Sequence, residues 1–199
     1  MPNYRRVYID GSTVFITLVT YQRIPFLIQP EAREILRCAW KCVAKSHPFN
    51  LDAVCLLPDH IHMMITLPEY DADYSLRMRE IKRLFSVRYL SLMGGFSRQN
   101  ESQKSKHEAA LWQRRFWEHT IRDEKDYQNH FDYIHYNPVK HEFVKDVASW
   151  EWSSFHRYVK AGIYDADWGG NFRLNDEKNF LVNDLVGWVG IISGINIEL

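Results

Sequence analysis

The amino-acid sequence predicts an α+β fold of the ferredoxin-like type, in which two helices cover one face of an antiparallel sheet. Segments rich in β-branched residues alternate along the chain with segments of helical periodicity. Their order along the chain is strand, helix, strand, strand, helix, strand, which is the βαββαβ order of this fold. One more helix follows the last strand. At 199 residues the chain is long enough for one such core.

The first strand and the first helix have clear signals. Residues 13–20 read TVFITLVT, and their alternation and β-branched side chains predict a strand. Pro30 suits the first position of a helix. That helix is expected to end near His47, because a residue before a proline avoids helical backbone angles.

The next three elements follow closely. Residues 51–57 and 60–67 are apolar strands, and the Pro-Asp pair between them predicts a tight hairpin. A second helix is expected over 74–92, where two glycines follow. The polar residues 96–110 lack periodicity and predict a flexible surface loop.

The last strand and the third helix are predicted from residues 116–137. Residues 116–122 read FWEHTIR and indicate the fourth strand. Asp123 is a good N-cap for a helix running to about Tyr136, and Asn137-Pro138 is expected to end it.

Composition narrows the class of protein. The chain is 46% hydrophobic and 25% charged, as in globular proteins, and its net charge is zero. It contains no apolar stretch long enough for a membrane span and no signal peptide at its N-terminus, which predicts a cytoplasmic protein. Three cysteines argue against a disulfide framework. Residues 1–170 are expected to form one domain, and residues 171–199 a tail of unassigned role.

Two histidines stand one residue apart in PDHIHMM. In a strand, residues i and i+2 point to the same face, so His60 and His62 would lie side by side. Ile61, Met63 and Ile65 would then pack against the two helices. The histidine pair is either part of a metal site or a solvated edge of the sheet.

The third helix offers a partner for the pair. Tyr133 and Asn137 are four residues apart and are therefore neighbours on one helical face. If this helix lies across the free face of the sheet, Asn137 would complete a metal site with His60 and His62. A divalent ion there would stabilise charge on a phosphoryl group while the Tyr133 oxygen attacks phosphorus. Because a free tyrosine has a pKa of about 10, a nearby cation would help by favouring the phenolate.

These segments resemble a known family. PDHIHMMI is similar to the HUH motif of single-tyrosine transposases, and YIHYNPVK is similar to their tyrosine helix. Four further segments of this chain resemble the sequences of the REP-associated tyrosine transposases of bacteria: VFITLVTYQRIPFL, IKRLFS, LWQRRFWEHTIRDEKDY and WEWSSFHRY. The resemblance extends from about Tyr4 to Gly169.

The resemblance implies a mechanism and partners. His60, His62 and Asn137 would bind Mg²⁺ or Mn²⁺, and Tyr133 would be the nucleophile in preference to Tyr136. The substrate would be single-stranded or hairpin DNA at REP palindromes, cut through a 5′-phosphotyrosine, by a monomer or homodimer located at the nucleoid and not at a membrane. Imidazole suits Mn²⁺ better than Mg²⁺, so the ion stays open. Two alternatives are a hairpin-binding module that does not cut, and a metal-dependent hydrolase that uses water.

Local groups of cations predict contacts with phosphates, although a solvated face explains such groups equally well. The candidate DNA-binding residues are Arg5, Arg6, Arg79, Lys82, Arg83, Arg114 and Arg115. Tyr4, Tyr8 or Trp117 would stack on an unpaired base, or each would take a core or surface role. Glu118 would act as a general base or support a metal ligand, or else make a structural hydrogen bond.

Overall fold

The computed structural model describes residues 6–94 and 110–169. Its regular elements are β1 (Thr13–Val19), α1 (Pro30–Ser46), β2 (Asn50–Leu56), β3 (His60–Thr66), α2 (Tyr74–Met93), β4 (Trp117–Thr120), α3 (Glu124–Lys140) and α4 (Phe155–Lys160). The four strands form one antiparallel sheet in the order β2-β3-β1-β4. The predicted βαββαβ order and the ferredoxin-like arrangement are confirmed.

The first face of the sheet carries the main core. Alternate residues of the central strands, such as Ile16 in β1 and Met63 in β3, are fully buried there. They pack with the apolar stripes of α1 and α2, which include Trp40 and Phe85. The period-two alternation of the strands therefore determines which residues are left for the second face.

The second face is covered as well. Phe15 and Met64 pack against Phe131 and Ile134 of α3, and the segment containing α4 completes this second cluster. The sheet is thus sandwiched between two layers of helices. The face expected to be open is closed by α3.

Capping residues explain where α2 and α3 begin. The Asp73 carboxylate accepts a hydrogen bond from the Leu76 amide, and the Asp123 carboxylate accepts one from the Asp126 amide. Helix α3 passes through Pro138 instead of ending there. A proline in the last turn removes only one helical hydrogen bond, and the His141 amide still donates to the Asn137 carbonyl.

Some predictions lie outside the described residues. These are the surface loop, apart from Ala110, and the whole tail 171–199. Within residues 6–94 and 110–169, no helix combines the length and the apolar character needed to cross a bilayer.

Candidate active site on the second face of the sheet

The two histidines of β3 stand side by side, with ring centroids 4.9 Å apart. Each ring is held through Nδ1. The Asp59 carboxylate lies 2.6 Å from Nδ1 of His60, and the Thr17 hydroxyl lies 2.8 Å from Nδ1 of His62. These bonds orient both rings and leave Nε2 of each as the nitrogen for a ligand. Metal-binding histidines are held in the same way, by a hydrogen bond to the other ring nitrogen.

Burial keeps His62 neutral. His60 and His62 are only 5% and 6% exposed, because α3 covers them. Desolvation lowers the pKa of His62 to about 3, and the positive charges of neighbouring groups, His60 first, act in the same direction. An imidazole must be neutral to bind a metal, so this environment favours the ligand form.

Helix α3 and its C-cap residue place three polar residues over the pair at four-residue spacing. The Tyr133 ring lies 5.3 Å from the ring of His62, and the His141 ring lies 5.3 Å from that of His60. Asn137 is midway between them on the same helical face. All five residues belong to one chain, so no helix from a second copy is needed to bring them together.

Asn137 is the unusual member of this group. Its side chain is fully buried, yet neither the amide nitrogen nor the amide oxygen has a hydrogen-bond partner among the described residues. An unsatisfied buried polar group costs about 1–3 kcal/mol. Together with the two oriented imidazoles, this unpaired amide oxygen fits a divalent cation between β3 and α3.

The two tyrosines of the helix differ in their surroundings. Tyr133 faces the histidines, and the Lys140 ammonium group lies 4.9 Å from the centre of its ring. Tyr136 faces the C-terminal segment, where its ring meets that of Trp168. Only Tyr133 is therefore placed beside the histidine pair.

A second group of titratable residues lies further along the second face. In the described part of the chain, His119, Asp126 and His130 have potential ligand atoms within 4.8 Å of one another. The Asp126 carboxylate, however, already accepts hydrogen bonds from Nε and from the backbone amide of Arg122. His130 Nδ1 lies 2.8 Å from the Asp126 carbonyl oxygen, the bond a protonated Nδ1 makes. The Asp126 carboxylate also lies 2.7 Å from His119 Nε2, so Asp126 orients both imidazole rings, and the Arg122 guanidinium opposes a further cation.

Two of the predicted residues point away from the histidines. Glu118 pairs with Ile16 across β4 and β1 and therefore faces the first side of the sheet. Its carboxylate lies 3.3 Å from Nε of Arg6, whose guanidinium also lies over the Phe116 ring. The structure therefore does not bring Glu118 to the histidine pair. It places Arg6 in an internal ion pair, and Arg5 lies outside the described residues.

The remaining predicted cations lie on and near the outer side of α2. Arg79 and Arg83 are exposed and pair with Glu80 at 3.9 and 2.8 Å. The Lys82 ammonium donates to the carbonyl oxygens of Gln113 and Arg114. The exposed residues Arg114 and Arg115 are thereby held between α2 and the beginning of β4.

Sequence reasoning missed several contributors to the site. Asp59 and Thr17 were not predicted because hydrogen bonds between strands depend on register. His141 is not among the predicted site residues, although it follows Asn137 by four residues and that spacing is a usable signal. Lys140 was read as part of a motif, without the contact with Tyr133.

The sheet, the histidine pair and the tyrosine-bearing helix together are those of a single-tyrosine transposase. Residues 9–137 match the family described as "Transposase IS200 like". The chain belongs to this family.

Within it, the chain belongs with the REP-associated tyrosine transposases. It is 42% identical to the REP-associated tyrosine transposase of Escherichia coli (strain K12) over 174 residues, which cover 86% of this chain and 93% of that protein. It is 45% identical over 171 residues, 86% of this chain and 95% of the relative, to a Haemophilus influenzae (strain ATCC 51907 / DSM 11121 / KW20 / Rd) protein named for the same activity. A solved structure described as a REP-associated tyrosine transposase bound to a REP hairpin matches with a TM-score of 0.71 at 42% identity. That match covers 86% of this chain and 93% of the other.

Proposed function

We propose that this protein cuts and rejoins single-stranded DNA beside REP-type hairpins, using Tyr133 as the nucleophile and a divalent cation held by His60, His62 and Asn137. The observation that carries the proposal is the fully buried Asn137 amide, which has no hydrogen-bond partner within residues 6–94 and 110–169 and lies on the helical face that also presents Tyr133 to His62. The related structure bound to a REP hairpin supports the choice of DNA. A protein acting on such elements works at the bacterial nucleoid.

The covalent step balances as a transesterification. The Tyr133 oxygen forms a bond to phosphorus while the bond between phosphorus and the 3′-oxygen breaks. The phenol gives up one proton, and the departing 3′-oxygen takes one up. The downstream strand is left on the protein as a 5′-phosphotyrosine, and the upstream strand ends in a 3′-hydroxyl that can reverse the reaction.

The residues of this chain prepare that step. Asp59 and Thr17 hold the two imidazoles through Nδ1, which leaves each Nε2 available to bind the cation. The Lys140 ammonium group, 4.9 Å from the centre of the Tyr133 ring, would stabilise negative charge on the phenolate and on the phosphate that it attacks. A bound Mn²⁺ or Mg²⁺ would stabilise charge on the phosphoryl oxygens. Imidazole ligands favour Mn²⁺ of the two.

Positive charge around α2 would contact the DNA backbone. Arg79, Lys82 and Arg83 lie on the outer side of that helix, and Lys82 holds the segment that carries Arg114 and Arg115. Contacts of this kind position DNA without reading its sequence. Hairpin binding by either a monomer or a homodimer is compatible with a site formed within one chain.

A labelled hairpin tests the proposal. A REP-type hairpin with an unpaired flank, labelled at its 3′ end and incubated with Mn²⁺, should give a protein–DNA adduct on a denaturing gel. The same hairpin labelled at its 5′ end should give a shorter fragment that a polymerase can extend. Tyr133→Phe should abolish both products, a loss of at least about 10³-fold, and the matched control Tyr136→Phe should retain them.

The outcomes separate the alternatives. Adduct formation by Tyr133→Phe would remove Tyr133 as the nucleophile. Cutting without an adduct would indicate hydrolysis by water, and binding without cutting would indicate a hairpin-binding module. Mn²⁺ binding, followed by calorimetry and compared between the wild type and His62→Ala, tests the cation site without any dependence on activity.

A further inference from the structure

A cavity of about 320 Å³ opens beside the Tyr133 ring, between the second face of the sheet and the first half of α3. Phe15, Trp117 and Tyr133 line it with aromatic rings, and the polar part of the wall includes Thr17, Asn129 and His130. His62 and Tyr133 belong both to this cavity and to the candidate active site, so the two are continuous. The volume lies at the lower end of the range for small-molecule sites, roughly 300–1,000 Å³.

Three nearly parallel rings stand at the outer wall, of which Trp117 and His130 line the cavity and His119 lies next to both. Trp117 is 55% exposed on the edge strand β4, and its ring is inclined by 11° to that of His119 at 6.1 Å. The His119 ring is in turn inclined by 15° to that of His130 at 4.7 Å. The Asp126 carboxylate lies 2.7 Å from His119 Nε2 and 3.2 Å from His130 Nδ1. Asp126 thus holds His119 through its carboxylate and His130 through its carbonyl oxygen, 2.8 Å from Nδ1, so these two rings are preorganised.

We propose that this cavity is a nucleotide subsite, in which the unpaired base next to the phosphate attacked by Tyr133 stacks on Trp117. The inference rests on the proposed function, because the continuity with Tyr133 selects a nucleotide beside the scissile phosphate as the occupant. Aromatic side chains bind bases through their flat faces with little dependence on sequence. Asn129, one helical turn before Tyr133, offers an amide donor and acceptor to the edge of that base.

The subsite gives a physical reason for a single-stranded substrate. A base in a duplex has both faces stacked and its pairing edge occupied, so it cannot enter a cavity whose walls need a free face and a free edge. An unpaired base beside a hairpin meets both requirements. Held there, the base would fix the adjacent phosphate relative to Tyr133.

Fluorescence in the Tyr133→Phe background measures the subsite without chemistry. 2-Aminopurine, placed in turn at each unpaired position flanking a REP-type hairpin, should be quenched on binding at one position more than at the others. Trp117→Ala should abolish that local quenching and weaken binding on the order of tenfold. Trp117→Tyr, which keeps a stacking ring, should restore both. Tyr70→Ala, at an aromatic residue that is 86% exposed elsewhere, should leave both unchanged.

A second measurement uses the active protein. Replacing the base at the same position by an abasic site should lower the yield of adduct as much as Trp117→Ala does, and combining the two should lower it no further. Multiplicative losses, or equal quenching at all positions, would overturn the subsite. Position-specific quenching without any adduct would leave the subsite standing and would refute Tyr133 as the nucleophile.

Discussion

Helix α3 presents two polar stripes that differ in their hydrogen bonding. Asp132 and His135 form the first stripe, and Tyr133 and Asn137 form the second. On the side facing the C-terminal segment, the Tyr164 hydroxyl donates to Asp132 at 2.5 Å, and His135 Nε2 lies 2.8 Å from the Ser154 hydroxyl. On the side facing the histidines, the Asn137 amide has no hydrogen-bond partner among the described residues. Buried polar groups are normally satisfied, so the first stripe is typical of a structural network and the second of a ligand site.

The hydrogen-bonded stripe of Asp132 and His135 also orients the stripe that contains Tyr133 and Asn137. Ser154 accepts a hydrogen bond from the Val54 amide, so the network joins α3 to the edge strand β2. This link fixes the rotation of α3 about its axis, and the rotation directs Tyr133 and Asn137 towards β3. A connected buried network is more rigid than its separate bonds.

The largest expected effect is on the unsatisfied stripe. Asn137→Leu removes an amide that has no hydrogen-bond partner among the described residues, so the free energy of unfolding should stay the same or rise by up to about 1 kcal/mol. The Mn²⁺-dependent yield of adduct should fall on the order of 100-fold, because a ligand is lost. Urea denaturation and the gel assay measure the two quantities. A clear loss of stability with full activity would reverse the roles of the two stripes.

The satisfied stripe should respond in the opposite sense. Tyr164→Phe removes the donor to Asp132 and the contact with His135, and should lower the free energy of unfolding by about 1–3 kcal/mol. The adduct yield of the folded fraction should change little. Tyr70→Phe, at an exposed tyrosine, is the control for denaturation and should be neutral. Strong loss of activity without loss of stability would place the network in the chemistry instead.

The pH dependence of the free energy of unfolding tests whether the buried His135 ring is neutral in the folded protein. Burial lowers the pKa of His135 from 6.5 to about 3, so the folded protein favours the neutral ring. Its contribution is therefore complete above the unfolded pKa and is lost as the pH falls below it. Between about pH 6.5 and about pH 5.5 the wild type should lose about 1 kcal/mol from this group. Over the same pH range, the free energy of unfolding of the His135→Gln protein should fall by about 1 kcal/mol less than that of the wild type.

Another buried group acts in the opposite direction. Burial raises the pKa of Asp52 to about 6, so its stabilising effect is present at acid pH and is lost as the pH rises through that value. Asp52 is unchanged in the His135→Gln protein, so the difference between the two denaturation series isolates His135. Equal slopes in the two series would contradict a neutral, buried His135.

The smallest effect is expected on the surface of α2, far from both stripes. Arg79→Ala and Arg83→Ala should each weaken hairpin binding a few-fold and reduce the slope of log K against log salt by about 1. The adduct formed per bound hairpin should stay constant. Arg37→Ala, which breaks a comparable surface ion pair with Glu34 on α1, is the matched control. Unchanged affinity in both α2 variants would exclude this helix from the DNA interface.

Much of the fold was predictable from local patterns. The two-residue period of β3 separates His60 and His62 from Ile61 and Met63, and the structure keeps that separation. The four-residue spacing of Tyr133 and Asn137 likewise predicts a shared helical face. The end of α3 was misplaced at Pro138, because a proline in a last turn removes only one hydrogen bond.

The sequence by itself therefore determined the identity of the elements and the face on which each side chain lies, since both follow from the geometry of a single strand or helix. Only the tertiary structure decided that α3 closes the second face, that His141 meets His60, and that Glu118 points away from them. Strand register and helix docking set those contacts. Both depend on packing between residues far apart in the chain, and the spacing of residues within a single strand or helix does not encode such packing.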